Sequence, residues 1–175
     1  SAVNNAQELL EQLAAIDSQG KITERGRQMA SMPIHPRLAR FMLEAAKFAI
    51  IEEAALAVAL LTERDPLKGI PNQSATPHDC DLRDKVERMK TILKDRHSPY
   101  HQLPAIKNTK RIAEQIQKAI SQNADNTSAP SSNPGTDHPL QRALLSAFPD
   151  RVAKRRDDNP RKGVMVSGRG VRQSK

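Results

Sequence analysis

The chain has few of the residues that mark a disulfide-linked, metal-binding or membrane-spanning protein. Its 175 residues include no Trp, one Tyr, three Phe and a single Cys. One cysteine excludes an internal disulfide, and no Cys and His residues have the spacing of a zinc site. No apolar run is long enough to cross a bilayer, and the N-terminus lacks the features of a signal peptide. We therefore expect a cytoplasmic protein with no membrane partner.

Motifs that carry catalytic chemistry are also missing. The sequence has no Gly-x-x-x-x-Gly-Lys-Ser/Thr phosphate loop, no dinucleotide-binding glycine fingerprint, no His-Glu-x-x-His and no nucleophile elbow. Asp79, Asp81 and Asp84 are close in sequence, but carboxylates at a helix start more simply complement the helix dipole than hold magnesium. We predict no catalytic residue, no cofactor-binding residue and no metal ligand in these 175 residues.

The residues that are present favour packed helices. Apolar residues make up 37% of the chain and aromatic residues only 2%, so a core must be built from Leu, Ile, Val, Ala and Met. Apolar spacing predicts amphipathic helices over residues 2–16, 25–31, 36–48, 82–97, 106–120 and 140–147. The segment 50–62 is apolar almost all round, which predicts the central helix of a bundle. Val164 and Val166, followed by glycines, predict a strand and a turn, so the fold class is mainly α with a short β segment at the C-terminus.

The segment from Gly20 to Met42 joins its elements with almost no loop. Gly20 is predicted to be the C-cap glycine of the preceding helix, and Thr23 the N-cap of the next one. Pro33 and Pro36 then predict a break followed by a new helix, because proline suits a first helical turn and disfavours helix in the residue before it. A hairpin that leads into two closely joined helices is typical of the end of a winged helix.

The positive charge is concentrated in the C-terminal half. Residues 1–100 contain 14 Lys and Arg against 14 Asp and Glu, whereas residues 101–175 contain 14 against 6, which accounts for the whole net charge of +8. Such a surface attracts phosphate backbones without sequence preference. The alternative is a solvated tail that keeps the chain soluble.

Several separated motifs resemble the helicase-associated region of DEAH-type helicases. They are GKITERGRQMASMPIHPRLARFMLEA from Gly20, ALAVALLTERDPL from Ala55, and AFPDRVA from Ala147 followed by SGRG from Ser167. Together they are more similar to a bacterial ATP-dependent helicase than to the spliceosomal members of the family. The resemblance implies four segments: 1–34 as the C-terminal part of a winged helix, 35–122 as a ratchet-like helical bundle, 123–139 as a flexible linker, and 140–175 as the last helix and the start of an OB-like β region.

The resemblance also implies a function for the whole parent protein. Members of the family hydrolyse ATP in two RecA-like domains, and the ratchet and OB-like domains form one wall of a channel for single-stranded nucleic acid. This sequence lacks the motor motifs, so we expect it to be inactive alone, with ATP and Mg²⁺ bound only in the RecA-like domains. The expected partners are single-stranded nucleic acid, RNA in particular, and those motor domains. The alternative is a helical protein-interaction module whose basic tail docks on an acidic partner.

Basic residues near these motifs are the candidate nucleic-acid contacts, because guanidinium groups stay charged and donate to phosphate in a fixed fork. For Arg37 the competing interpretation, a structural salt bridge, stays open. We expect that removing the charges of Arg151, Arg155 and Arg156 would weaken single-strand binding and reduce its salt dependence. The full set of candidates is Arg25, Arg27, Arg37, Arg40, Arg151, Lys154, Arg155, Arg156 and Arg169.

Overall fold

The computed structural model describes residues 2–71, 80–122, 138–159, 161–166 and 168–172. Most of the predicted linker at 123–139, and Asp79, lie outside these described residues. The described part is mainly helical and carries a small antiparallel sheet near its C-terminus, which confirms the predicted fold class. The helices are α1 Ala2–Gln12, α2 Glu24–Ala30, α3 Pro36–Lys47, α4 Ile51–Thr62, α5 Asp81–Lys94, α6 Pro104–Gln122 and α7 Pro139–Ala147; the strands are β1 Ala153–Arg155, β2 Lys162–Met165 and β3 Gly170–Arg172.

Helix α1 ends at Gln12, four residues earlier than its apolar spacing predicts. Ala14 takes a left-handed conformation with φ 54°, and the N–H of Ala15 donates to the carbonyl of Leu10 at 2.8 Å. These are the features of a Schellman motif, which terminates a helix. The predicted helix end at residue 16 was wrong, because the apolar residues after Gln12 keep the helical spacing although their backbone is no longer helical.

A minimal hairpin follows, in which Ile16 and Ile22 form a single antiparallel bridge. The Asp17 carboxylate accepts hydrogen bonds from two backbone N–H groups of the turn, each at 2.9 Å. Gly20 has φ +77° and supplies the left-handed residue of this turn. The prediction that Gly20 caps a helix was therefore wrong, because the preceding helix has already ended at Gln12.

Helix α2 packs directly on the backbone that precedes the hairpin. The Thr23 hydroxyl oxygen accepts from the Gly26 N–H at 2.9 Å, as predicted for an N-cap, and the same hydroxyl donates to the Ala14 carbonyl at 2.7 Å. A Cβ atom on Gly26 would lie 2.0 Å from the Ala15 carbonyl oxygen. Only glycine therefore permits this close approach of α2 to the chain.

Helix α4 is the centre of the bundle, as its sequence predicts. Residues 54–60 of this helix are all buried, and α3, α5 and α6 pack against it. Between α2 and α3 the chain breaks at Pro33, and α3 begins at Pro36, where the His35 Nδ1 accepts from the N–H of Arg37 at 3.2 Å. The predicted stripe of α6, Ile106, Ala113, Ile116 and Ile120, is buried in the core. Of the predicted α5 stripe, Val86 and Met89 are buried and Leu82 and Leu93 only partly so, while Ile92, which was not predicted, is buried as well.

The C-terminal part is attached to the bundle through α7, which packs against α3. A 3-10 turn at Pro149–Arg151 leads from α7 into a sheet of strand order β1-β2-β3, in which both neighbouring pairs are antiparallel. Strand β1 was not predicted, because its three residues are all exposed and show no alternation of apolar and polar side chains. Within the described residues, no helix is both long and apolar enough to cross a lipid bilayer.

Candidate nucleic-acid interface

Arg37 connects α3 to the segment that precedes the sheet. Its guanidinium donates to both carboxylate oxygens of Asp150, at 2.5 and 2.8 Å, and to the carbonyl oxygen of Ala147 at 3.1 Å. Hydrogen bonds from Arg37 are the main reason why the pKa of Asp150 lies below its ordinary value. Because the planar guanidinium donates to both carboxylate oxygens, the contact fixes the relative orientation of the two groups as well as the distance between them. We call this pair, Arg37 and Asp150, the clamp.

Phe148 reinforces the clamp from one side. The Arg37 guanidinium carbon lies 5.3 Å from the centroid of the Phe148 ring, and that of Arg151 lies 5.7 Å from it. Both distances are within the range in which a cation is attracted to an aromatic face. The Phe148 ring is also partly buried against the core. The end of α7 is therefore held on α3 by packing, stacking and an ion pair together.

Arg40 has a structural partner as well. Its Nη1 lies 2.7 Å from Oε2 of Glu44, one turn along α3, and Lys47 Nζ lies 3.2 Å from the same oxygen. Partial burial alone would raise the pKa of Glu44, but the hydrogen bonds from Arg40 and Lys47 outweigh it and leave the pKa lowered. Only 13% of the Arg40 side chain is exposed, so little of its guanidinium is accessible to a ligand.

The two candidates on α2 differ in their surroundings. Arg27 is exposed and its Nε lies 3.0 Å from Oε2 of Glu24, an arrangement that contributes little to stability because water screens it. Arg25 is half-buried on the same helix. Neither is in the same element as the candidates of the C-terminal sheet.

Strand register divides the C-terminal candidates between two faces of the sheet. Alternate residues of a strand point to opposite faces, and residues paired across strands share a face. Lys154 pairs with Val164, which pairs with Gly170, and these residues lie on one face. Arg155 pairs with Gly163, which pairs with Val171, and these lie on the other. The two predicted contacts Lys154 and Arg155 therefore point in opposite directions.

Three cations stand side by side on the face that carries Lys154. Lys162 is paired with Arg172 across β2 and β3. On its other side, the Arg156 N–H donates to the Lys162 carbonyl at 2.9 Å, which continues the register of β1 and β2 by one residue. We call Arg156, Lys162 and Arg172 the cationic row. All three are exposed, and none forms an ion pair with a carboxylate among the described residues.

The structure thus brings together only part of the predicted set. Lys154 and Arg156 share the row face, whereas Arg155 lies on the opposite face with Arg169, whose carbonyl accepts from the Met165 N–H at 2.9 Å. Lys162 and Arg172 belong to the basic C-terminal segment of the sequence but were not among the predicted contacts. Sequence reasoning placed only one strand here, and without a register the face of each side chain cannot be assigned.

Two grooves lie away from the sheet. One, of about 430 Å³, is lined mainly by apolar residues of the segment 32–35, the end of α4 and α6. The other, of about 470 Å³, lies beside α5 and includes Asp84, Glu87, Arg88 and Asp95. Over the part of the chain that the structure describes, no three His, Cys, Asp or Glu residues come together as metal ligands would.

Comparisons with known proteins agree with this architecture. Residues 6–34 match the winged-helix family of the helicase associated domain (HA2). The chain is 44% identical over 63 residues to the ATP-dependent RNA helicase HrpA of Escherichia coli strain K12, a region covering 33% of this chain and 5% of HrpA. It also resembles the crystal structure of the E. coli DExH-box NTPase HrpB, with a TM-score of 0.57 and 22% identity over 96% of this chain and 16% of that one.

These matches confirm the resemblance predicted from the sequence. Residues 6–34 are similar to the helicase-associated winged-helix family, a stretch of 63 residues is similar to part of HrpA, and the fold is similar to part of HrpB. It spans only a small share of the length of either relative, 5% of HrpA and 16% of HrpB.

Proposed function

We propose that this chain is the accessory nucleic-acid-channel module of an ATP-dependent RNA helicase. In this proposal it holds single-stranded nucleic acid and couples its passage to RecA-like motor domains of the same parent protein. ATP and Mg²⁺ would be bound in those motor domains, and the parent protein would act in the cytoplasm. The similarity to helicases supports the general role.

One observation carries the nucleic-acid part of the proposal, namely the contrast between paired and unpaired cations. All three cations of α3 and two of the five cations of α5 form ion pairs, namely Arg37, Arg40, Lys47, Lys85 and Lys90. On the described sheet, by contrast, no cation of β1, β2 or β3 is paired with a carboxylate. A cluster of exposed, unpaired cations is an electrostatic site for a polyanion, and a phosphate backbone is a polyanion of high charge density.

Binding of a labelled single-stranded oligonucleotide to the chain tests this function. We expect binding that weakens steeply between 50 and 200 mM salt, because each phosphate contact releases condensed counterions. A polyglutamate peptide of equal total charge is the matched control. It should bind less tightly at every salt concentration if the sheet recognises phosphate groups and not negative charge alone.

The alternative of an acidic protein partner makes the opposite prediction. Polyglutamate would then bind as tightly as the oligonucleotide, or more tightly. The absence of any salt-dependent oligonucleotide binding would reject the nucleic-acid function.

A further inference from the structure

We propose that nucleic acid is bound by only one face of the C-terminal sheet, the face that carries the cationic row together with Lys154. Arg156, Lys162 and Arg172 would contact successive backbone phosphates of one strand. This inference rests on the proposed function and adds to it the surface and the residues that make the contact.

The cationic row places like charges next to one another on neighbouring strands. Like charges directly opposite each other on neighbouring strands destabilise a sheet. Lys162 has a cation opposite it on both sides, Arg156 towards β1 and Arg172 towards β3. No carboxylate of the described residues pairs with any of the three. A bound phosphate backbone would supply the paired negative charge that no described carboxylate supplies to the row.

The opposite face of the sheet differs from the row in the neighbours of its cations. There Arg155 is followed across the sheet by Gly163 and Val171, and Arg169 is paired with Met165, whose own β1 partner is Ala153. Arg155 and Arg169 on this face therefore have apolar or glycine neighbours across the sheet. A Cβ on Gly163 would lie 3.4 Å from the Ala153 Cβ and 3.5 Å from the Val171 Cγ2, so this face is also closely packed. The described cations of this face, Arg155, Arg161 and Arg169, are not paired with one another across the strands as those of the row are.

The row also has a length and a fixed backbone that suit contact with a strand. Neighbouring strands are about 4.8 Å apart, so a row across three strands spans about 10 Å. Its backbone is held in register by the strand ladder, and the clamp and α7 hold the sheet on the bundle. Asp157 and Asp158 lie in the β1–β2 turn that joins Arg156 to Lys162, so they would repel a phosphate along that side of the row. We infer that the strand lies across the sheet over the row and away from this turn.

Two triple variants of the full chain, each with the same change of net charge, test the assignment. The row variant is Arg156→Gln, Lys162→Gln and Arg172→Gln. The opposite-face variant is Arg155→Gln, Arg161→Gln and Arg169→Gln, since Arg161 continues the alternation of β2 on the face of Gly163 and Arg155. Oligonucleotide affinity is measured over a series of salt concentrations, and thermal melts monitor folding.

We expect the row variant to bind at least about tenfold more weakly at low salt, and the slope of log K against log salt to decrease by about 2. The opposite-face variant should lose less than about threefold, with a slope change below about 1. The melting temperature of the row variant should not fall, because the substitutions remove repulsion. If the row variant does unfold, the double variant Arg156→Gln and Arg172→Gln replaces it, and its slope should decrease by about 1.4, whereas an unchanged slope would overturn the row.

Other outcomes separate the two proposals. Equal losses in both triple variants, or a larger loss on the opposite face, would overturn the row and leave the nucleic-acid function intact. A wild-type chain that binds no oligonucleotide would overturn both. Asp157→Asn with Asp158→Asn gives a test of opposite sign: removing the carboxylates beside the row should tighten binding, and weaker binding would contradict the placement.

Discussion

At the scale of single residues, Arg37 shows how a candidate ligand contact can serve the fold instead. Its guanidinium is engaged by Asp150, by the Ala147 carbonyl and by the Phe148 ring, and only 13% of its side chain is exposed. These contacts favour the structural interpretation that its sequence context left open. The clamp matters to function through position, because it holds the sheet on the bundle.

The clamp can be tested with Asp150→Asn. We expect this change to lower the free energy of unfolding at pH 7 by about 1 kcal/mol. A charge-assisted bidentate contact contributes more than this when it is buried, but solvent screens the partly exposed carboxylate of Asp150. Urea unfolding measures the change. Asp158→Asn is the control, because this exposed carboxylate forms no ion pair within the described residues and should change stability by less than about 0.5 kcal/mol.

The same pair sets a pH dependence. Hydrogen bonds from Arg37 lower the pKa of Asp150 in the folded state, from an ordinary value of 3.8. The stabilisation is therefore complete above pH 3.8 and is lost as the pH falls through the lowered value. The stability difference between wild type and Asp150→Asn should shrink below pH 3.8, and a difference that stays constant down to pH 2 would contradict the assignment.

At the scale of elements, α2 is positioned by the contact of Gly26 with the Ala15 backbone. Gly26→Ala is expected to destabilise the chain by about 3 kcal/mol, because the new methyl group overlaps a backbone oxygen and the helix must move away. Gly170→Ala is the matched control, since a Cβ there meets no atom within 4 Å. Thermal or urea unfolding compares the two, and a Gly26→Ala variant as stable as the control would show that α2 is not docked as described.

The elements also show what the sequence could and could not predict. The helices that carry long apolar stripes were placed within a few residues, because burial of one face controls both the pattern and the fold. The end of α1 was missed because Leu13 and Ile16 keep the helical spacing beyond the Schellman motif. Strand β1 was missed because Ala153–Arg155 buries nothing. Gly26 gave no signal, since its constraint comes from a backbone atom eleven residues earlier.

The candidate site was harder to predict than the fold, because its side chains are brought together by pairing between strands and between distant parts of the chain. Basic residues could be counted along the sequence, but their faces depend on pairing between strands. The partner of Arg37 is 113 residues away in sequence, so the ion pair could be foreseen only as one alternative. Lys162 and Arg172 emerged only when the register placed them beside Arg156.

At the scale of the whole molecule, charge and packing are divided between two regions. The bundle contains the buried core around α4 and most of the ion pairs, while the sheet carries exposed cations without carboxylate partners among the described residues. The clamp and the packing of α7 on α3 join the two. In the proposed function, the bundle provides a rigid support and the sheet provides the contact with the strand.

Backbone amide shifts of the isotopically labelled chain, followed by NMR during titration with a single-stranded oligonucleotide, test this division most directly. The account predicts that the largest shifts fall on residues 153–156, 162–165 and 170–172, and that they disappear when salt is raised to about 1 M, where the screening length is about 3 Å. It would be contradicted by shifts that are largest on α5 and α6, or by shifts on the sheet that persist unchanged at high salt.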